Sequence, residues 1–132
     1  MVFTINADGT FIGIDSNIFA GANHSTAHGQ WTSVWPWTIQ ATFTLLQQGP
    51  NGVFLGGFKN LFSAQLADSE TMTGQIDAYL YLYTNLDGSA IVGADGLPTP
   101  SPLDAPSQCG TTSGCQHLGI FTFKARRVSV QW

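Results

Sequence analysis

Asp77 is the acid best placed to do chemistry in this chain, because it lies among aromatic residues in Gln75-Ile76-Asp77-Ala78-Tyr79-Leu80-Tyr81. A carboxylic acid at the mouth or interior of an apolar barrel keeps its proton more tightly, since burial disfavours the anion. Such a group would donate or accept a proton, with Tyr79 or Tyr81 polarising a carbonyl beside it. His28 is the third catalytic candidate, and at the barrel mouth it would also orient a ligand, as would Gln30. The competing arrangement pairs Asp77 with Lys59 on the outer surface. It is favoured, because the opposite face of the same strand is the more apolar one. Gly-x-Ser-x-Gly, a phosphate loop and His-Glu-x-x-His are all missing from the sequence, so the common hydrolase, nucleotide and zinc-protease signatures are not available.

His24 and His28 have a spacing that would put both rings on one metal in a helix but not in an extended chain. A metal site would need His117 and Asp15 to converge with them. Histidines hydrogen-bonded to backbone are the simpler reading, and neither a metal nor a cofactor is expected. Cys109 and Cys115 flank a Gly/Ser/Thr stretch and would close a small disulfide loop, stay as thiols, or form half of a metal site. The disulfide is the preferred of the three. Trp31, Trp35 and Trp37 alternate, so they share a face if the strand runs through the Trp35-Pro36-Trp37 corner. They would then line a pocket for a flat or aliphatic ligand, or plug the end of a barrel.

The elements that must position these groups read as strands. Apolar and polar residues alternate through most of the chain, and no long stretch favours helical spacing. Strands are expected at 2–6 and 10–15 around the Asp8-Gly9 turn, at 28–35, at 38–47, at 53–62 after Gly49-Pro50-Asn51-Gly52, at 71–83 after Asp68-Ser69-Glu70, and at 119–131. A short strand is expected at 90–92, inside an otherwise irregular stretch from 85 to 118 that holds four of the six prolines and both cysteines. In strand 71–83 the face Met72, Gly74, Ile76, Ala78, Leu80, Leu82 is apolar. The other face would leave Tyr79, Tyr81 and Tyr83 exposed, as a subunit interface of a homo-oligomer or a ligand patch. Seven or eight strands in a meander are best closed as an antiparallel barrel of about eight, with a two-sheet sandwich fitting nearly as well.

The whole of the 132 residues fits a single domain. Only 9% of the chain is charged and the net charge is −4, which disfavours helical bundles and makes nucleic acid a poor partner. No run of apolar residues is long enough to cross a bilayer as a helix. Val2-Phe3-Thr4-Ile5 follows Met1 without a basic segment, which fits a cytosolic protein or one whose signal was removed. Low charge and a disulfide lean towards export.

Several stretches resemble small bacterial lipocalin-like barrel proteins: residues 3–11 (Phe-Thr-Ile-Asn-Ala-Asp-Gly-Thr-Phe), Ala27-His28-Gly29-Gln30-Trp31, Ala41-Thr42-Phe43, Gly52-Val53-Phe54-Leu55-Gly56 and Met72-Thr73-Gly74. The resemblance implies a calycin-type barrel; most members have no assigned activity. Lipocalins place a Gly-x-Trp near the barrel base under an Arg of the last strand, and Gly29-Gln30-Trp31 with Arg126 or Arg127 looks similar. The resulting expectation is a barrel that takes a small apolar molecule into an interior lined by Ile39, Phe43, Phe54, Phe58, Ile76, Leu80, Phe121 and Phe123. The alternatives are a cofactor-independent isomerase, cyclase or hydrolase acting in the same cavity, or an oligomeric structural barrel.

Overall fold

A computed structural model describes residues 2–14, 24–34, 36–49, 52, 54–84, 89–96, 107, 109 and 114–127. It contains seven strands and no α-helix among them: β1 (Val2–Ile5), β2 (Thr10–Ile14), β3 (Ala27–Val34), β4 (Thr38–Gln48), β5 (Phe54–Leu66), β6 (Thr71–Leu82) and β7 (Cys115–Arg126). They form one antiparallel sheet in sequence order, a meander with β1 and β7 at its edges. The turns follow from local chemistry. Gly9 adopts φ 86°, while Asp8 Oδ1 accepts from the Thr10 amide at 2.9 Å and its hydroxyl at 2.7 Å. At the β5–β6 turn Asp68 Oδ1 accepts from the amides of Glu70 and Thr71, each at 2.7 Å. These hydrogen bonds, led by the Thr10 hydroxyl at Asp8 and the Glu70 amide at Asp68, hold both carboxyls below the ordinary value.

The sheet curls into a half-barrel around one apolar face. Phe11, Ala27, Ala41, Phe43, Leu45, Phe62 and Ala64 form its buried centre, and Phe3, Ile5, Trp31, Ile39, Phe58, Met72, Ile76 and Phe123 pack against it. Curvature brings the first and last strands together through their side chains, with the Phe3 and Phe123 ring centroids 6.2 Å apart. Phe62 bridges them, stacked on Phe123 at 5.0 Å and edge-on to Phe3 at 5.6 Å. Gly29 lies in register between Phe11 and Phe43. A Cβ there would sit 2.6 Å from the Phe43 Cα, so its absence lets the Phe11 and Phe43 rings stack over it at 5.0 Å.

Boundaries differ from the sequence expectation by more than one residue in β5 and in β7, which ends at Arg126 where 131 was expected, residues 128–131 lying outside the described ones. β5 runs on to Leu66, since Ser63 to Gln65 continue the ladder with Gln75 to Thr73 despite their weak strand preference. β7 starts at Cys115, inside the stretch expected to be irregular. The short strand expected at 90–92 is represented by the isolated bridge of Ala90 with Thr84.

Candidate functional site

Asp77 is on the outer face of β6, and both of its oxygens are engaged. His117 Nε2 donates to Oδ1 at 2.6 Å and the Tyr79 hydroxyl donates to Oδ2 at 2.7 Å. The His117 and Tyr79 rings stack at 4.8 Å with 24° between their planes. The hydrogen bond to Asp77 and then burial push the Tyr79 phenol up to about 12, so it stays protonated. With Nε2 donating, Nδ1 of His117 is the ring nitrogen able to take a proton, on a side chain that is 47% exposed. The trio can therefore hold a proton at Tyr79 and move one at His117.

His117 reaches this face because of a bulge. Ala78 pairs with Gly119 but Tyr79 pairs with His117, which leaves Leu118 as the extra residue. An unbroken alternation through β7 would put His117 on the face of Phe121 and Phe123, away from Asp77. The sequence reading missed this pairing; the available signal was Gly119 inside the strand, which adopts φ 123°. His28 does not join the trio. It is hydrogen-bonded to Thr26 Oγ1 at 2.9 Å. Through Thr44 and Lys59 it lies in the same cross-strand row as Tyr79, three strand spacings or about 14 Å away. His24, bonded to the Ser25 carbonyl, and His28 consequently do not converge with His117; Asp15 lies outside the described residues.

The outer placement of Asp77 agrees with the favoured reading, but its partners are Tyr79 and His117 where Lys59 was expected. The tyrosines are a correction. Tyr79 is buried and Tyr81 is 1% exposed, packed with Cys115, Cys109, Leu61 and Tyr83. Cys109 and Cys115, joined in a disulfide with Cα atoms 5.0 Å apart, pack over them. Tyr79 and Tyr81 are therefore covered where exposure was expected, and Tyr83 is half-buried.

The tryptophans also separate. Trp31 packs into the interior and its indole N–H donates to the Asn6 carbonyl at 2.8 Å, whereas Trp37 is 73% exposed. Pro36 and a φ of 67° at Trp37 end β3 and turn the chain, so the alternation does not carry through the corner. Trp35 lies outside the described residues. Arg126 pairs with Thr71, on the face opposite Trp31, and the Arg127 amide donates to the Glu70 carbonyl.

Most of the expected interior residues do face the interior. Phe43 is buried, Ile39, Phe58, Ile76 and Phe123 pack around it, and Leu80 pairs with Phe58. Phe54 does not. The register shift at Gln47/Gln48 turns it to the outer face, where its ring meets Tyr83 at 5.9 Å. Phe121 faces inward opposite Ile76 but is 55% exposed, since β7 is an edge.

The outer face carries a groove of about 610 Å³ across β3 to β6. Its polar lining comes from Gln30, Thr32, Gln40, Thr42, Ser63, Gln75 and Asp77. Ser63 and Gln75 also line a neighbouring depression of about 430 Å³ with Gln65, Thr73 and Thr122, so the two form one polar track. Register explains the composition: Thr32, Gln40, Ser63, Gln75 and Thr122 are consecutive cross-strand partners. Compared with protein-family models, curated proteins and solved structures, the chain matches none.

Proposed function

We propose that this protein binds a small molecule, and that the ligand is polar and uncharged and lies in the outer groove. The carrying observation is the lining. Four adjacent strands aim amides and hydroxyls into one depression, and its single ionisable group, Asp77, already has both oxygens occupied. Neutral donors and acceptors of this kind complement a ligand rich in hydroxyl or amide groups and offer little to an ion. An apolar ligand inside the curl, the expectation from the sequence, would have to displace phenyl rings already in contact with one another. The half-barrel is the frame that a closed, lipocalin-like barrel of eight strands would use, and the disulfide supports an exported protein. A second reading, proton transfer by His117 on a substrate held in the groove, is favoured by the bridged Asp77 at the groove's margin.

A thermal-shift panel separates groove from interior. Neutral polyols, sugars and amides are compared with aliphatic and aromatic probes, using wild type and the double variant Gln40→Leu/Gln75→Leu. A polar compound should raise the melting temperature of wild type, and the variant should lose that rise. Stabilisation by apolar probes alone, equal in both proteins, would overturn the proposal.

A further inference from the structure

We infer that the ligand is a carbohydrate, a short oligosaccharide whose hydroxyls are read by the groove and one of whose rings stacks on Trp37. This rests on the groove being the binding site. Trp37 combines two unfavourable features. Its indole is 73% exposed, forgoing the burial that makes tryptophan useful in a small core, and its φ of 67° lies in the region that favours glycine. A bulky side chain held in such a conformation points to a role outside folding.

Its location agrees with that role. The Trp37 carbonyl accepts from the Leu66 amide at 2.9 Å, which fastens the turn to the end of β5. Thr38, the next residue, is in register with Gln65, and Gln65 with Thr73, the last polar row of the track. Trp37 therefore stands just beyond the end of that row. From Thr42 to Thr38 β4 advances four residues, about 14 Å in extended form, with Trp37 one residue beyond; that is longer than one sugar ring and suited to a few.

The chemistry selects the same class. A pyranose presents hydroxyls around its rim and a patch of polarised C–H bonds on its face. The rim matches the Gln, Thr and Ser side chains, and the C–H patch matches the electron-rich face of an indole. Neutral amides and polyols without such a face would use the groove but not Trp37.

Calorimetry on the full chain with gluco-, xylo-, manno- and chito-oligosaccharides of one to six units tests this, using wild type, Trp37→Ala, Trp37→Phe, Trp37→Gly and the Gln40→Leu/Gln75→Leu variant. Wild type should bind at least one series, with a trimer at least about tenfold tighter than its monomer. Trp37→Ala and Trp37→Gly should each weaken binding by about tenfold or more, and Trp37→Phe should recover most of it. Trp37→Gly should also melt higher than wild type, because it relieves the positive φ; a tryptophan kept for stability would give the opposite shift. Equal sugar affinity in wild type and Trp37→Ala overturns the stacking. Binding of non-sugar amides or polyols with no sugar bound overturns the carbohydrate class and leaves the groove standing. Sugar binding unaffected by Gln40→Leu/Gln75→Leu overturns the groove itself.

Discussion

At the scale of single residues, Asp77, Tyr79 and His117 form a connected polar cluster on the outer face. Tyr79 contributes through its proton. Its hydrogen bond to Asp77 and its burial raise the phenol from an ordinary 10.0 to about 12, so the folded state favours the protonated form. That contribution to stability is complete below pH 10 and is lost as pH rises through about 12. The stability difference between wild type and Tyr79→Phe should consequently be constant up to pH 10 and shrink between pH 10 and 12. Urea denaturation of both proteins across that range checks it, and a difference that grows with pH would contradict the hydrogen bond. Asp77 and Tyr79 were legible as an acid and a phenol on one strand face, but His117 was not. Its side depends on a single unpaired residue, Leu118, in a strand 40 positions along the chain from Asp77.

At the scale of elements, two bulges decide which residues meet. The irregularity at Gln47/Gln48 moves Phe54 out of the core, and the one at Ala78/Tyr79 moves His117 onto the groove side. Because Leu118 is the surplus residue, its deletion should leave the ladder in register on both sides and keep His117 opposite Tyr79. Stability should change by about 1 kcal/mol or less. Deleting Phe121, which is paired with Ile76, should instead slip the edge strand by one and send its residues to the wrong faces. Melting temperatures, with the His117 ring-proton shifts that stacking on Tyr79 produces, distinguish the two deletions. Loss of the His117 shift in the Leu118 deletion would refute this register. Any turnover that depends on His117 should survive the first deletion and vanish in the second.

At the scale of the whole molecule, the curl is maintained by a few aromatic contacts between residues far apart in sequence. Phe3 and Phe123 join the two edge strands across the interior, and Phe62 touches both. A double-mutant cycle on Phe3→Ala and Phe123→Ala should give a coupling energy of about 0.5–1.5 kcal/mol. Additive effects would mean that the edges do not meet in solution. The same curl leaves the opposite face open, and there the polar rows of β3 to β7 lie side by side as one surface.

Alternation determined much of this protein locally: all-β, turns at Asp8-Gly9 and Asp68 to Glu70, Phe43 and Phe62 inward, Thr and Gln outward. A period of two is written in neighbouring residues and survives any later arrangement of the strands. Tertiary structure alone decided which face of Tyr79 and Tyr81 was covered, where Trp37 ended up, and that His117 lies against Asp77. Those outcomes depend on bulges, on the packing of Cys109 and Cys115 over the tyrosines and on register between distant strands. Each shifts a side chain from one face to the other through a one-residue change that composition and spacing do not record.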